Sequence, residues 1–214
     1  MKKSIYPLLL LLCILVGSCQ EHIDYDSVTD YQIGDVVVKN GSIIPYNQYI
    51  VKNRDDAMAV IYATQHEVPG LPSKAIAIYI KELPYCTFSD TTKNYGCSTD
   101  TTAYNGYDNT LKLRTSSSSS LVDRISYILP DLQNAFLPSV AEIRPLHQSF
   151  NLVNTVLESV KGDPINSNSP YCWYWTSTEI NALDAYTYSP VSDLLLPSEK
   201  PIPYSVRPVF NVNY

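Results

Sequence analysis

Three kinds of segment follow one another along this chain, and their order limits the folds open to it. Short apolar runs come first, at Ile33–Val38, Ala57–Ala63 and Ala75–Ile80. Stretches with helical spacing come next. Strand-like runs then return at Tyr171–Thr176, Ala185–Ser189 and Tyr204–Val212. Runs of about four to eight residues rich in β-branched and aromatic side chains read as strands. Strands, then helices, then strands, without regular βαβ alternation, predict one α+β domain over residues 31–214, with mixed, mainly antiparallel sheets and two short helices.

Turn chemistry punctuates these runs. Asn40-Gly41 accepts positive φ and marks a hairpin after the first strand. Val68-Pro69-Gly70-Leu71-Pro72 separates the next two. The polar stretch Thr87–Ser120 reads as a long irregular surface insertion, with the serine run Ser116–Ser120 as a flexible loop. Ser139-Val140-Ala141-Glu142 fits a capping box, and Val140, Ile143 and Leu146 follow at helical spacing until Pro145 limits the helix. Leu152, Val153, Val156, Leu157 and Val160 form the apolar face of a second helix, which ends at Lys161-Gly162.

Charge narrows the partners. The formal net charge is −6 and only 17% of residues are charged. Scattered Lys and Arg make no basic stripe along which a phosphate backbone could run, which argues against nucleic acid. Eighteen tyrosines suit half-buried strands, wet interfaces and sugar stacking. The three histidines (His22, His66, His147) are scattered and no Cys-x-x-Cys occurs, so neither a metal nor another cofactor is expected. In an oxidising compartment Cys86 and Cys97 are placed to close a disulfide, leaving Cys172 over.

The amino terminus carries its own signal. Lys2 and Lys3 precede Leu8–Val16, an unbroken apolar run of nine residues. A bilayer-spanning helix needs about 20 such residues, so the run reads as a signal-peptide core. Val16-Gly17-Ser18-Cys19 then resembles the lipobox of bacterial lipoproteins. That resemblance implies a signal peptide over residues 1–18, cleavage before Cys19 and acyl chains on that cysteine. Two or three chains together hold a protein on a membrane where one barely does. Residues 19–30, with Glu21, Asp24, Asp26 and Asp30, read as an acidic flexible tether. Gln20 after the cysteine fits, by analogy with lipoprotein sorting, the outer membrane of a Gram-negative bacterium.

Three further segments stand in a telling order: Ala135–Glu142, Cys172–Glu179 and Val206-Arg207-Pro208-Val209. Together they resemble a domain family found at the C-terminus of a collagen-like bacterial adhesin. The resemblance implies a C-type-lectin-like fold, distantly related to formylglycine-generating and sulfatase-modifying domains. It gives structural roles to Ser139, Glu142, Trp175, Ser177, Glu179 and Arg207. Trp175 would be a core ring on a strand beside the C-terminal strand, Thr176–Glu179 would shape the turn that follows, and Glu179 would pair with Arg207.

Function reads best as non-catalytic surface recognition or adhesion toward a glycan, matrix or envelope partner. Trp173, Tyr174, Tyr186 and Tyr188 would supply stacking faces, and Asp184 and Asp193 would accept from sugar hydroxyls. The alternative is a structural or accessory subunit of a surface fibre. An enzyme is the weakest reading. Cys86, Cys97 and Cys172 do not match the cysteine pair of the formylglycine-generating oxidases, and Gly-x-Ser-x-Gly is absent.

Overall fold

Val36, Val37 and Val38 are β-branched, and all three side chains are buried. The same pattern runs through Ala57–Thr64 and Ala75–Tyr79, so these strands are covered on both faces. The computed structural model describes residues 31–116, 119–129, 134–165 and 172–213. The lipobox, Cys19 and the tether lie outside the described residues.

In chain order the first elements are β1 (Val36–Val38), β2 (Ile43–Ile44), α1 (Tyr46–Val51), β3 (Ala57–Thr64), β4 (Ala75–Tyr79) and β5 (Leu83–Thr87). The helical stretch holds α2 (Gly106–Thr115), α3 (Ser120–Ile128), α4 (Val140–Ile143) and α5 (Leu146–Ser159). The last elements are β6 (Tyr174–Glu179), β7 (Asp184–Ser189), β8 (Leu194–Glu199), β9 (Pro203–Val206) and β10 (Val209–Val212). They form two five-stranded sheets, ordered β10-β4-β3-β1-β2 and β5-β9-β6-β7-β8. All pairings are antiparallel except β6 with β9, so the architecture is α+β.

Alternation along β3 divides the interior. Val60 and Tyr62 face α5, where Val153, Val156 and Leu157 complete one cluster with Val36, Ile76 and Ile78. Ala59 and Ile61 point the other way, into a second cluster with Leu113, Leu121, Val122, Ile125 and Trp175. A sheet buried on both faces needs near-continuous apolar strands, which is why β3 and β4 carry no outward polar row.

Several sequence expectations are corrected here. Five helices rather than two stand among the described residues, and α5 is 14 residues long. Thr87–Ser120 is not irregular throughout, because α2 lies inside it. Ser119 and Ser120 begin α3 instead of a loop: their hydroxyls donate to the carbonyls of Phe88 (3.0 Å) and Thr87 (2.9 Å), tying the helix start to the end of β5. The run Tyr204–Val212 is two strands in two sheets. The break falls at Arg207-Pro208, where proline has no N–H to continue a ladder.

The turn signals hold at both predicted helix ends. Ser139 Oγ accepts from Glu142 N (3.3 Å) and the Glu142 carboxylate accepts from Ser139 N (2.7 Å). After α5, Lys161 takes φ 61° and Gly162 N donates back to Leu157 O (2.7 Å). A Cβ on Gly162 would stand 2.8 Å from the Ile80 carbonyl oxygen, so the chain passes here only without a side chain.

Candidate functional surface

Three carboxylates, Glu142 and Glu179 in the interior and the half-buried Glu82, collect hydrogen bonds from several elements of the fold. Glu142 caps α4 and also accepts from Gly106 N at 3.0 Å, which joins the starts of α2 and α4. Burial raises its pKa, while the Ser139 and Gly106 N–H groups pull the other way. A Cβ on Gly106 would come within 2.7 Å of Leu137 O and Ser139 N.

Glu179, at the end of β6, accepts from Tyr95 N (3.0 Å) and Cys97 N (2.8 Å) and pairs with Lys200 Nζ at 2.6 Å. That ammonium also donates to the carbonyls of Lys93 and Asn181, both at 2.8 Å. The pair is essentially unexposed, at 1% and 0%. Glu82 accepts from Tyr174 OH (2.6 Å), Ser205 Oγ (2.7 Å) and Arg207 Nη2 (3.3 Å). Arg207 also donates to Asp163 O at 2.9 Å. The expected Glu179–Arg207 pair is therefore replaced by two separate pairs, Glu179–Lys200 and Glu82–Arg207.

Thr176, Ser177 and Thr178 lie within β6 and are buried, rather than shaping a turn after it. Thr178 Oγ1 accepts from Val140 N (3.1 Å), Ser177 N donates to Pro138 O (2.8 Å) and Thr176 Oγ1 donates to Tyr186 O (2.9 Å). Trp175 is fully buried, donates Nε1 to Cys86 O at 3.0 Å, and meets the rings of Phe88 and Tyr204 edge-on. These residues hold sheet, helix and loop together. Among the described residues no group of three or more His, Cys, Asp or Glu is placed to hold a metal.

The cysteines correct another expectation. Cys86 and Cys97 are separate buried thiols, not a disulfide. Cys86 is fixed in β5, while Cys97 is anchored elsewhere by its N–H to Glu179 and its Sγ to Asn109 O at 3.6 Å. Burial pushes the Cys86 thiol up to about 11 and the Cys97 thiol up to about 12, with Glu179 adding to the second.

The predicted ligand residues separate into two groups. Tyr174 and Tyr188 are core side chains and present no open ring face. Their hydroxyls are committed to Glu82 and to Asp193 Oδ1 (2.7 Å), and burial raises both phenols. Trp173 is half-buried and accepts through its carbonyl from Ser205 N. Asp193 lies exposed in the β7–β8 turn at φ 53°.

Asp184 and Tyr186 do come together, half-exposed on one face of β7. Their direct cross-strand partners on β8 are Glu199 and Pro197. Sequence reasoning missed those partners because Pro197 in Leu194–Glu199 reads as a loop. The signal was present: proline is tolerated on an edge strand whose N–H side faces solvent. The β7–β8 hairpin is acidic, with Asp184, Asp193 and Glu199 at its surface and its lysine, Lys200, buried on Glu179. Leu194 and Leu196, on the opposite face of β8 from Glu199, are 55% and 43% exposed.

No family model matches this chain, and no curated protein matches it. Its structure is similar to the crystal structure of a fimbrial protein from Bacteroides ovatus, with a TM-score of 0.63 at 16% identity. The likeness is one of fold. It covers 85% of this chain and 49% of the fimbrial protein, so this chain spans about half that protein's length.

Proposed function

We propose that this chain is a non-catalytic subunit of a surface fibre, carried to the outer membrane by a lipid on Cys19. The observation that carries the reading is the fold shared with a fimbrial protein over 85% of this chain. The interior supports it, since the buried Glu142 and Glu179 are consumed in holding sheets and helices together. Such a domain is built to be rigid and to present its outside. Shearing the fibres from intact cells and probing the fraction for this chain tests the reading. Recovery with the fibres is the expected result, and exclusive recovery with the cell bodies overturns it. For the anchor, Cys19→Ser is expected to abolish fatty-acid labelling, and persistent labelling refutes the lipidation site.

One observation favours a recognition role within such a fibre. Asp184 and Tyr186 share an open face with Pro197 and Glu199, which places a ring, a flat pyrrolidine and two carboxylates side by side. That set suits a sugar ring through stacking and hydroxyl donation. Such a role agrees with the kinship to the lectin-like adhesin family that we propose on Ala135–Glu142, Cys172–Glu179 and Val206–Val209. Saturable binding on a glycan array, lost in Tyr186→Ala, is the expected outcome; a flat array rejects the recognition role.

A further inference from the structure

The lipid proposed on Cys19 sets a distance but not an orientation. Residues 20–30 lie between that cysteine and Tyr31, a length of at most about 40 Å when fully extended. A tether this short keeps the domain beside the bilayer at a local concentration on the order of millimolar. Where it joins the fold then decides which side can turn to the lipid. Gly34 lies against Leu152 and Val156 of α5. Val36 pairs with Ile44, and α1 begins two residues later, with its Tyr46 hydroxyl bonded to Ser159 Oγ of the same helix α5 (2.9 Å). The chain therefore enters the fold beside α1, at the β2 edge of the sheet β10-β4-β3-β1-β2.

The same edge carries the most exposed large apolar side chain among the described residues. Val51, the last residue of α1, is 85% exposed, and Ile50 before it 41%. Lys52 follows directly, and the 52–56 loop leads back to Ala57, which pairs with Val38. Lys39 is therefore at the same end of the strands, tied by its N–H to Asp56 O (3.0 Å). Arg54 and Asp56 bond each other, which leaves the exposed Lys39 and Lys52 against Asp55. Only three residues of strand separate Lys39 from Val36, about 10 Å. In a chain of net charge −6 this is a local excess of positive charge beside apolar side chains. A phosphate-bearing leaflet accepts that combination, with ammonium groups over the phosphates and apolar side chains just below them. The acidic β7–β8 hairpin stands at the edge of the other sheet and would be repelled by the same headgroups.

We propose that this edge is the face the domain turns to the leaflet holding its own acyl chains. Ile50 and Val51 dip into the headgroup region, and Lys39 and Lys52 sit on lipid phosphates. This orientation rests on the Cys19 anchor proposed above. Two apolar side chains and two ammonium groups hold weakly by themselves, and the tether supplies the local concentration that makes the contact persist.

The test uses the full acylated chain in vesicles of phosphatidylethanolamine and phosphatidylglycerol. Val51→Cys and, on α3, Tyr127→Cys each give one accessible thiol for an environment-sensitive dye, because Cys86, Cys97 and Cys172 are buried. The label at position 51 is expected to lose about half of its emission to lipids with brominated chains, and the label at position 127 to keep its own. Lys39→Glu combined with Lys52→Glu, or a rise in salt from about 0.05 M to about 0.5 M, is expected to weaken that quenching severalfold. For a chain that floats with the vesicles, equal quenching at both positions, or none at 51, overturns the orientation and leaves the anchor standing. Blue-shifted emission at 51 without quenching would show that protein covers the patch, residues 20–30 of the chain included, and overturns it too. Quenching at 51 indifferent to both lysine reversals removes the phosphate contact and rejects the proposal. A wild-type chain that does not float with the vesicles fails the anchor itself, and the orientation falls with it.

Discussion

In the sheet β10-β4-β3-β1-β2 the two longest strands read Ala57-Met58-Ala59-Val60-Ile61-Tyr62-Ala63-Thr64 and Ala75-Ile76-Ala77-Ile78-Tyr79; in the other, β6 reads Tyr174-Trp175-Thr176-Ser177-Thr178-Glu179. All three strands are almost wholly buried. The first sheet is held by apolar area removed from water on both faces. In β6, by contrast, hydroxyls and a carboxylate are buried because partners from α4, the 93–97 segment and Lys200 meet them. The comparison teaches that equal burial can rest on opposite physics. An apolar strand tolerates loss of shape gradually, whereas a buried polar strand fails when one partner leaves a charge alone.

The largest effect should come from the polar side. Lys200→Ala leaves the Glu179 carboxylate buried without its cation and is expected to lower stability by about 3–5 kcal/mol in chemical unfolding. The double change Glu179→Leu with Lys200→Met sharpens the contrast, since replacing a buried pair by apolar residues is often neutral. A double variant as weak as the single one would show that the backbone bonds from Tyr95 and Cys97 matter more than the ion pair. On the apolar side, Ile61→Ala opens a cavity in the fully buried second cluster, for an expected loss of about 2–5 kcal/mol by the same measurement.

Smaller effects probe the seam between the sheets and the helices. Gly106→Ala forces a Cβ against the Leu137 carbonyl and Ser139 N, and overpacking of this kind lowers stability by about 1–3 kcal/mol. Ser139→Ala removes one arm of the capping box and should destabilise by about 1 kcal/mol. A separate effect is read in pH. Cys86 and Cys97 have folded pKa values of about 11 and about 12 against an ordinary 9.0. Between these values the unfolded chain releases protons that the folded chain keeps. Stability from this source is therefore full below pH 9 and declines as pH rises toward 11–12. A thiol reagent at pH 8 should leave both cysteines unmodified until denaturant is added; rapid labelling of the folded chain would contradict their burial.

Legibility followed the kind of force involved. The strands Ala57–Ala63 and Ala75–Ile80, the capping box at Ser139 and Glu142, and the end of α5 at Lys161-Gly162 were readable because each depends on neighbours in the chain. Strands β5 and β8 were not, because Pro84 and Pro197 mask them and only their edge positions make those prolines harmless. Of the candidate ligand surface, Asp184 and Tyr186 were found, while Pro197 and Glu199 came from strand register alone.

By itself the sequence determined the α+β order, the hairpin at Asn40-Gly41 and the helix caps, all consequences of local backbone preference and hydrophobic periodicity. Which charge meets which, that Cys86 and Cys97 stay apart, that Tyr188 is core and Tyr186 surface, and that Tyr204–Val212 divides between two sheets were decided only by the tertiary structure. The physical reason is range. Hydrogen-bond partners such as Glu82 and Ser205, or Tyr95 and Glu179, lie 123 and 84 residues apart, and no local pattern specifies which strand will arrive beside another.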